Sequence, residues 1–346
     1  MNDLCDLLGI RHPIVLAPFG GLSSIPLTAA VSSGGGLGSY GLYGYDGARI
    51  AQTTDALRAA TSAPFALNIW LPTGDEVEPA PEHEGYAAAL RAFYDEVGMA
   101  PPERPERYLP PLDEQLDAIW AASPAVLSVV FGVPSAAVVE QAHRRGIRVL
   151  GTATTVAEAR ALAAGGVDAV VATGMEAAGH RVSFLRPAED SLVGLMSLLP
   201  QVVDAVDVPV IAAGGIADRR GVAAAFALGA AGVQVGTSFL AAAESAANEA
   251  HRVAIRSTPA DASVLTRAMS GRLARGARNC AVAEIEASGA IAPFPAQNWL
   301  TGRFRAVAGE RGMGELQSLW LGQSAPLARG GTAHDVLAEL VAGVPG

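Results

Sequence analysis

The 346-residue chain is half hydrophobic and carries 24 basic against 34 acidic side chains, a net charge of −10. With no basic run to follow a phosphate backbone, it is not expected to bind DNA or RNA. Two distant cysteines, Cys5 and Cys280, are too few for a disulfide framework or zinc site, no window reaches the roughly 18 uninterrupted apolar residues of a membrane span, and the start lacks the basic segment of a signal peptide; a soluble, cytoplasmic protein is expected.

Eight short apolar runs, each ending in Gly, Pro or a small polar residue, follow in chain order at 14–17, 36–39, 65–69, 126–131, 148–152, 169–172, 210–213 and 232–236. Alanine-rich segments with helical spacing, such as 135–145, 156–164 and 219–228, separate most of them. Strand alternating with helix implies parallel pairing, because a parallel connection needs about a dozen residues of crossover. Continuous apolar runs, as opposed to alternating ones, say that both faces are covered. Eight such units predict an α/β fold, a closed (β/α)8 TIM barrel, and no GxGxxG follows the first strand to favour a Rossmann sheet. Two intervals break the rhythm: 72–120, with EVEPAPEHEG at 76–85, and 241–318, which lacks βα alternation. The predicted division is a barrel of 1–73, 115–240 and 319–346, with 74–114 and 241–318 as a smaller α-rich lid or substrate subdomain on the C-terminal face. Helices such as 222–228 can pack in the barrel wall or against a second subunit, which leaves a homodimer open.

In a barrel, binding and reacting groups sit where strands stop. The run Ala213-Gly214-Gly215-Ile216 and the run Gln234-Val235-Gly236-Thr237 place unhindered backbone N–H groups after the seventh and eighth strands, read here as two neighbouring helix starts. That is a phosphate site, for a phosphorylated substrate or for FMN. The other strand ends favour a flat apolar ring with polar edges. Ala17-Pro18-Phe19 lets a plane pack on the backbone, while Asn68, Thr152 and Thr173 offer hydrogen bonds to ring heteroatoms. Only His180, Glu176 and Arg181 bring charge to these positions.

With these residues in place the chain resembles the nitronate monooxygenase family, formerly 2-nitropropane dioxygenases. The matches run in order as HPIVLAP (12–18), SGGGLGS (33–39), FALN (65–68), GMEAAGH (174–180), PVIAAGGIAD (209–218) and GVQVGT (232–237), with PAQNW (295–299) and LGQSA (321–325) later. The resemblance implies an FMN-dependent TIM barrel with a small extra domain. It places Asn68, Thr173, Gly215 and 234–237 at the flavin, with Gly215, Gly236 and Thr237 at its phosphate. His180 is then the histidine over the flavin beside the substrate. Where the family usually has two glycines before that histidine, this chain has Ala178-Gly179.

The implied reaction is oxidation of an alkyl nitronate by FMN and dioxygen to a carbonyl compound plus nitrite. His180 is expected to orient the nitronate, and to remove an α-proton from a neutral nitroalkane if its pKa stays near the operating pH. Glu176 is read as structural, paired with Arg181 or the loop backbone. Trp299 and Trp320 are read as pocket wall or subdomain core, His12 as part of the lower rim, and His83, His143, His251 and His334 as solvated. Neither cysteine is read as having a neighbouring base or metal partner, and both are expected to be inert. Three other functions stay open: a flavin-dependent enoyl-acyl-carrier-protein reductase, which shares the fold and a similar histidine loop, a tailoring oxidase, and a flavin-free barrel.

Overall fold

A computed structural model of the chain describes residues 3–77 and 82–346. Residues 78–81 of the predicted insertion lie outside the described residues. The barrel strands are β1 (Ile14–Leu16), β2 (Gly38–Gly41), β3 (Phe65–Trp70), β4 (Val126–Val130), β5 (Arg148–Ala153), β6 (Ala169–Thr173), then β8 (Val210–Ala213) and β9 (Gly232–Val235), with the short β7 (Gly179–His180) between the last two and β6. All eight pair in parallel in the order β1-β9-β8-β6-β5-β4-β3-β2. A parallel bridge between Val15 and Leu37 joins the two ends and closes the ring.

The reason is in the side chains. Residues facing into the barrel, among them Val15, Ala66, Val126, Leu150, Val171 and Ile211, pack on Leu4 and Leu8 of the helix Asp3–Leu8, which plugs the lower mouth. Outward residues such as Leu67, Val129, Val149 and Val170 pack against the surrounding helices. The predicted helices begin where a side chain caps them: Ser135 accepts from Val138 N–H, Thr155 from Glu158 N–H and Asp218 from Arg220 N–H. The helix Ala333–Val341 returns to the barrel wall through Ala333, Val336, Leu337 and Leu340.

A second buried cluster lies outside the barrel. Phe93, Tyr94, Ile285, Leu300 and Phe304 centre it, on the helices Arg91–Glu96, Cys280–Ser288 and Ala296–Glu310. Beside it, β10 (Ser263–Thr266) and β11 (Ala274–Ala277) form an antiparallel pair, and β11 also pairs with β7, so that Ala274 lies opposite His180. This sheet ties the late part of the chain to the loop after β6.

Two histidines read as solvated are buried. His83 is 5% exposed, with its ring nitrogens 3.3 Å from Tyr108 Oη and 3.2 Å from the Pro102 carbonyl. His251 is 2% exposed, with Nε2 2.9 Å from the Trp320 carbonyl. A histidine in polar surroundings is drawn inside when distant residues satisfy its ring, at both nitrogens in His83 and at Nε2 in His251. Cys280 does have a base beside it, since its thiol donates to Glu284 Oε1 at 3.0 Å, and that contact raises the thiol pKa.

Candidate functional site

The C-terminal ends of the strands open into a cavity of about 790 Å³. Ala17, Pro18 and Phe19 line it after β1, Asn68 on β3, Thr152 on β5 and Thr173 on β6. Ala178, Gly179 and His180 line it from the loop and from β7, Gly214 and Gly215 follow β8, and Gln234, Gly236 and Thr237 come from β9 and its end. Val235 alone of the predicted set is elsewhere. Its side chain is buried in the layer between barrel and helices, and its carbonyl accepts from Ala17 N–H at 2.9 Å.

Since Ala213 and Gln234 are register partners on adjacent strands, the two glycine turns are neighbours. Gly214 (φ 96°) and Gly215 (φ 73°) both sit in the left-handed region that a side chain disfavours. The main-chain N–H groups of Gly214, Gly215, Gly236 and Thr237 find no acceptor among the described residues. The turn is not itself a helix start, which corrects the sequence reading. The following helix begins only at Arg219, capped by Asp218, and the one after Gly236 is a single turn, Thr237–Leu240. Free amides, and not a long helix dipole, are what these turns offer an anion. The segment 322–324 fastens them: Gly322 N–H donates to Thr237 Oγ1 at 3.1 Å, Gln323 N–H to the Glu176 carbonyl at 3.0 Å, and Ser324 Oγ to the Gly215 carbonyl at 2.7 Å.

His180 lines the same cavity. Its Nε2 is 2.8 Å from Ser270 Oγ, and its ring meets Trp70 edge-on with centroids 4.9 Å apart and Trp320 at 5.6 Å. Burial, with the charges of Arg272 and Arg305 adding, lowers its pKa to about 3. The condition set for proton removal, a pKa near the operating pH, is therefore not met by the protein alone.

A model of the nitronate monooxygenase family matches residues 2–343. The probable nitronate monooxygenase of Staphylococcus aureus (strain N315) is 37% identical over 347 aligned residues, covering 98% of this chain and 96% of that protein. Among solved structures, nitroalkane oxidase from Streptomyces ansochromogenes is 36% identical with a TM-score of 0.86, covering 98% of this chain and 96% of that one. FabK from Thermotoga maritima is 29% identical with a TM-score of 0.78, covering 99% and 95%. The chain belongs to the nitronate monooxygenase family. It is an oxidoreductase.

In this nitronate monooxygenase family member the loop after β6 is held from behind. Arg181, 2% exposed and outside the cavity lining, donates to the carbonyls of Gly174 (2.6 Å) and Thr173 (3.0 Å), and Arg275 Nε donates to the Met175 carbonyl at 2.9 Å. The Glu176 carboxylate accepts from Leu195 N–H at 2.9 Å, at the start of the helix Leu195–Val203, and not from Arg181 or its own loop as read from the sequence. Asn68 Nδ2 donates to the carbonyl and hydroxyl of Ser128 at 3.2 and 3.1 Å, which leaves its oxygen open to the cavity. Trp320 is cavity wall, whereas Trp299 lies outside the lining beneath Arg303.

Sequence reasoning missed Tyr43, Trp70, Asn298 and Arg305, all in the lining. Arg305 donates to Ser318 Oγ at 2.8 Å and to Asn298 Oδ1 at 2.7 Å, and Asn298 Nδ2 donates to Tyr43 Oη at 3.0 Å. Burial lowers Arg305 to about 10, so it stays charged at neutral pH, and it has no carboxylate partner among the described residues. Arg272 differs. It is stacked between Phe131 and Phe294 and neutralised by Asp75 and Glu76, at 2.5 and 2.8 Å. The sequence signal that was passed over is the spacing of Arg305 with Asn298, Gly302 and Gly309 on one helix, a stripe of small and polar residues that leaves room beside a cation.

A histidine held neutral by its surroundings has a stability signature. The folded pKa of His180 lies below the unfolded value of 6.5, so the unfolded chain binds the extra proton between 6.5 and about 3. Its contribution is present above 6.5 and is lost as pH falls towards 3. His251, lowered by burial, acts in the same direction. Melting temperatures from pH 7 to 5 are expected to fall more steeply for the wild type than for His180→Asn.

Proposed function

We propose that the protein is an FMN-dependent nitronate monooxygenase that oxidises alkyl nitronates, and neutral nitroalkanes, with dioxygen to a carbonyl compound and nitrite. What supports the reading is one juxtaposition: free amides at two neighbouring glycine turns and a partly open imidazole line the same cavity. The donor set fits a flavin. Its phosphate would accept from the amides at Gly214, Gly215, Gly236 and Thr237. Its ring would lie along Ala17 and Pro18, with the open oxygen of Asn68 near a ring N–H. A methyl at Gly236 would only touch Ala17 Cβ at 3.4 Å and Phe19 at 3.5 Å, so the glycine leaves its N–H exposed beside Ala17 and Phe19 without being sterically required. The cavity volume lies in the ~300–1,000 Å³ range of small-molecule and cofactor sites. When bound, FMN supplies the electron acceptor, and dioxygen completes the oxidation.

The residues of the chain do the rest. Arg305 offers its N–H groups to the oxygens of the anionic nitronate. His180, neutral, faces the α-carbon and takes the α-proton of a nitroalkane, and the resulting imidazolium is stabilised by the nitronate formed beside it. Trp70 and Trp320 exclude water. We assign the described residues of 74–114, with 241–318, as the lid that closes this face. An absorbance spectrum of the purified protein followed by anaerobic propionate 3-nitronate tests the reading. Flavin bleaching by nitronate alone is expected, and bleaching by NADPH but not by nitronate would favour a reductase.

A further inference from the structure

We propose that Ser270, which lies behind the imidazole and outside the cavity lining, is a positioning residue that fixes the tautomer of His180, so that Nε2 carries the ring hydrogen and Nδ1 presents a lone pair to the substrate. The inference rests on the nitroalkane reading of the site for its chemistry, but not for the hydrogen bonds that carry it.

The turn 268–272 is held rigidly. Gln297 Nε2 donates to the Ala268 carbonyl at 2.6 Å, Thr301 Oγ1 to the Met269 carbonyl at 2.5 Å, and Gly271 N–H to the Arg267 carbonyl at 2.8 Å. Gly271 has φ 84°, and a Cβ there would stand 2.5 Å from Phe294 N, so the turn requires glycine at this position. Ser270 is 1% exposed. Its hydroxyl has three neighbours: His180 Nε2 at 2.8 Å, the Arg272 carbonyl at 3.1 Å and Arg272 N–H at 3.3 Å.

A hydroxyl donates one hydrogen and accepts two. The Arg272 carbonyl can only accept, and no other donor reaches it among the described residues. Leaving a buried carbonyl unpaired costs about 1–3 kcal/mol. Ser270 therefore spends its single hydrogen on that carbonyl and meets Nε2 as an acceptor. A neutral imidazole has one ring hydrogen, and this contact requires it on Nε2. The other nitrogen, Nδ1, has no hydrogen-bond partner among the described residues and is open to the cavity.

The consequence is directional. In the proton step the α C–H bond of the nitroalkane breaks, the new N–H bond forms at Nδ1, and the C–H electron pair passes into the nitro group to give the nitronate. The Nε2–H to Ser270 and Ser270 to Arg272 bonds are unchanged throughout. With the opposite tautomer, Nδ1–H would face the substrate and no proton could be taken.

The test is nitrogen-15 NMR of the full-length protein, as purified, with labelled histidine, the His180 signals being identified by their loss in His180→Asn. The expected wild-type spectrum shows His180 protonated at Nε2, and an Nδ1–H tautomer overturns the proposal whatever the variants do. In Ser270→Ala the tautomer is expected to become mixed or inverted, with kcat on a neutral nitroalkane about tenfold lower or more and KM for a nitronate little changed. Ser270→Thr, which keeps the hydroxyl, restores both. An Ala variant with wild-type tautomer and turnover also overturns it. Should the wild type turn over no nitro compound, the functional reading fails while the spectrum still decides the tautomer.

Discussion

His180→Asn is expected to lower kcat on a neutral nitroalkane by about 10²- to 10⁴-fold, the range that a positioned proton acceptor contributes, with flavin content unchanged. Asparagine is close in size to the imidazole and can still hydrogen-bond Ser270, so the packing against Trp70 and Trp320 is only modestly disturbed. What it lacks is a nitrogen able to hold a proton. A nitronate has already lost its α-proton, so its turnover falls far less. The difference between the two substrates, and not the loss itself, is the diagnostic. Steady-state kinetics on a nitroalkane and on its nitronate check this, and equal losses on both would remove the proton-accepting role.

The Arg305→Met variant is expected to show the reverse selectivity. Methionine keeps the apolar part of the stem while removing the charge. A hydrogen bond to a charged group contributes about 1.5–3 kcal/mol, so KM for the nitronate should rise about 10- to 150-fold, with KM for the neutral nitroalkane little changed. Thermal stability should hold or rise, because a buried cation without a carboxylate partner costs desolvation energy that only an anionic ligand offsets. Arg305→Lys should recover only part of the affinity, since an ammonium cannot bond Ser318, Asn298 and the substrate in the fork geometry of a guanidinium. A fall in KM for the nitronate, or an equal rise for both substrates, would remove Arg305 from anion recognition.

The barrel was legible because its signal is local and repeated. The run 65–69 became Phe65–Trp70 and 148–152 became Arg148–Ala153, and Ser135, Thr155 and Asp218 cap their helices. Strand two shifted from 36–39 to Gly38–Gly41, because the run of glycines there carries no side-chain pattern to place an edge and Gly36 N–H instead bonds the Val31 carbonyl. The small antiparallel sheet was not legible. Its strands are two to four residues long and pair across a gap of 94 residues from His180 to Ala274. His251 and Arg305 were hidden for a related reason: a polar residue on an amphipathic helix reads as solvent-facing until a remote segment, here Trp320 and Ser318, is folded against it. Ser270 carries no motif at all, and only the folded turn sets its hydroxyl beside the imidazole.

The phosphate grip of the two glycine turns is tested most directly by titrating the flavin-free protein with FMN and with riboflavin, which differ only in that phosphate. Charge-assisted bonds from several free amides predict that FMN binds at least about a hundredfold more tightly. Equal affinities would contradict the placement of the phosphate at Gly215 and Gly236, and with it the orientation of the ring towards His180.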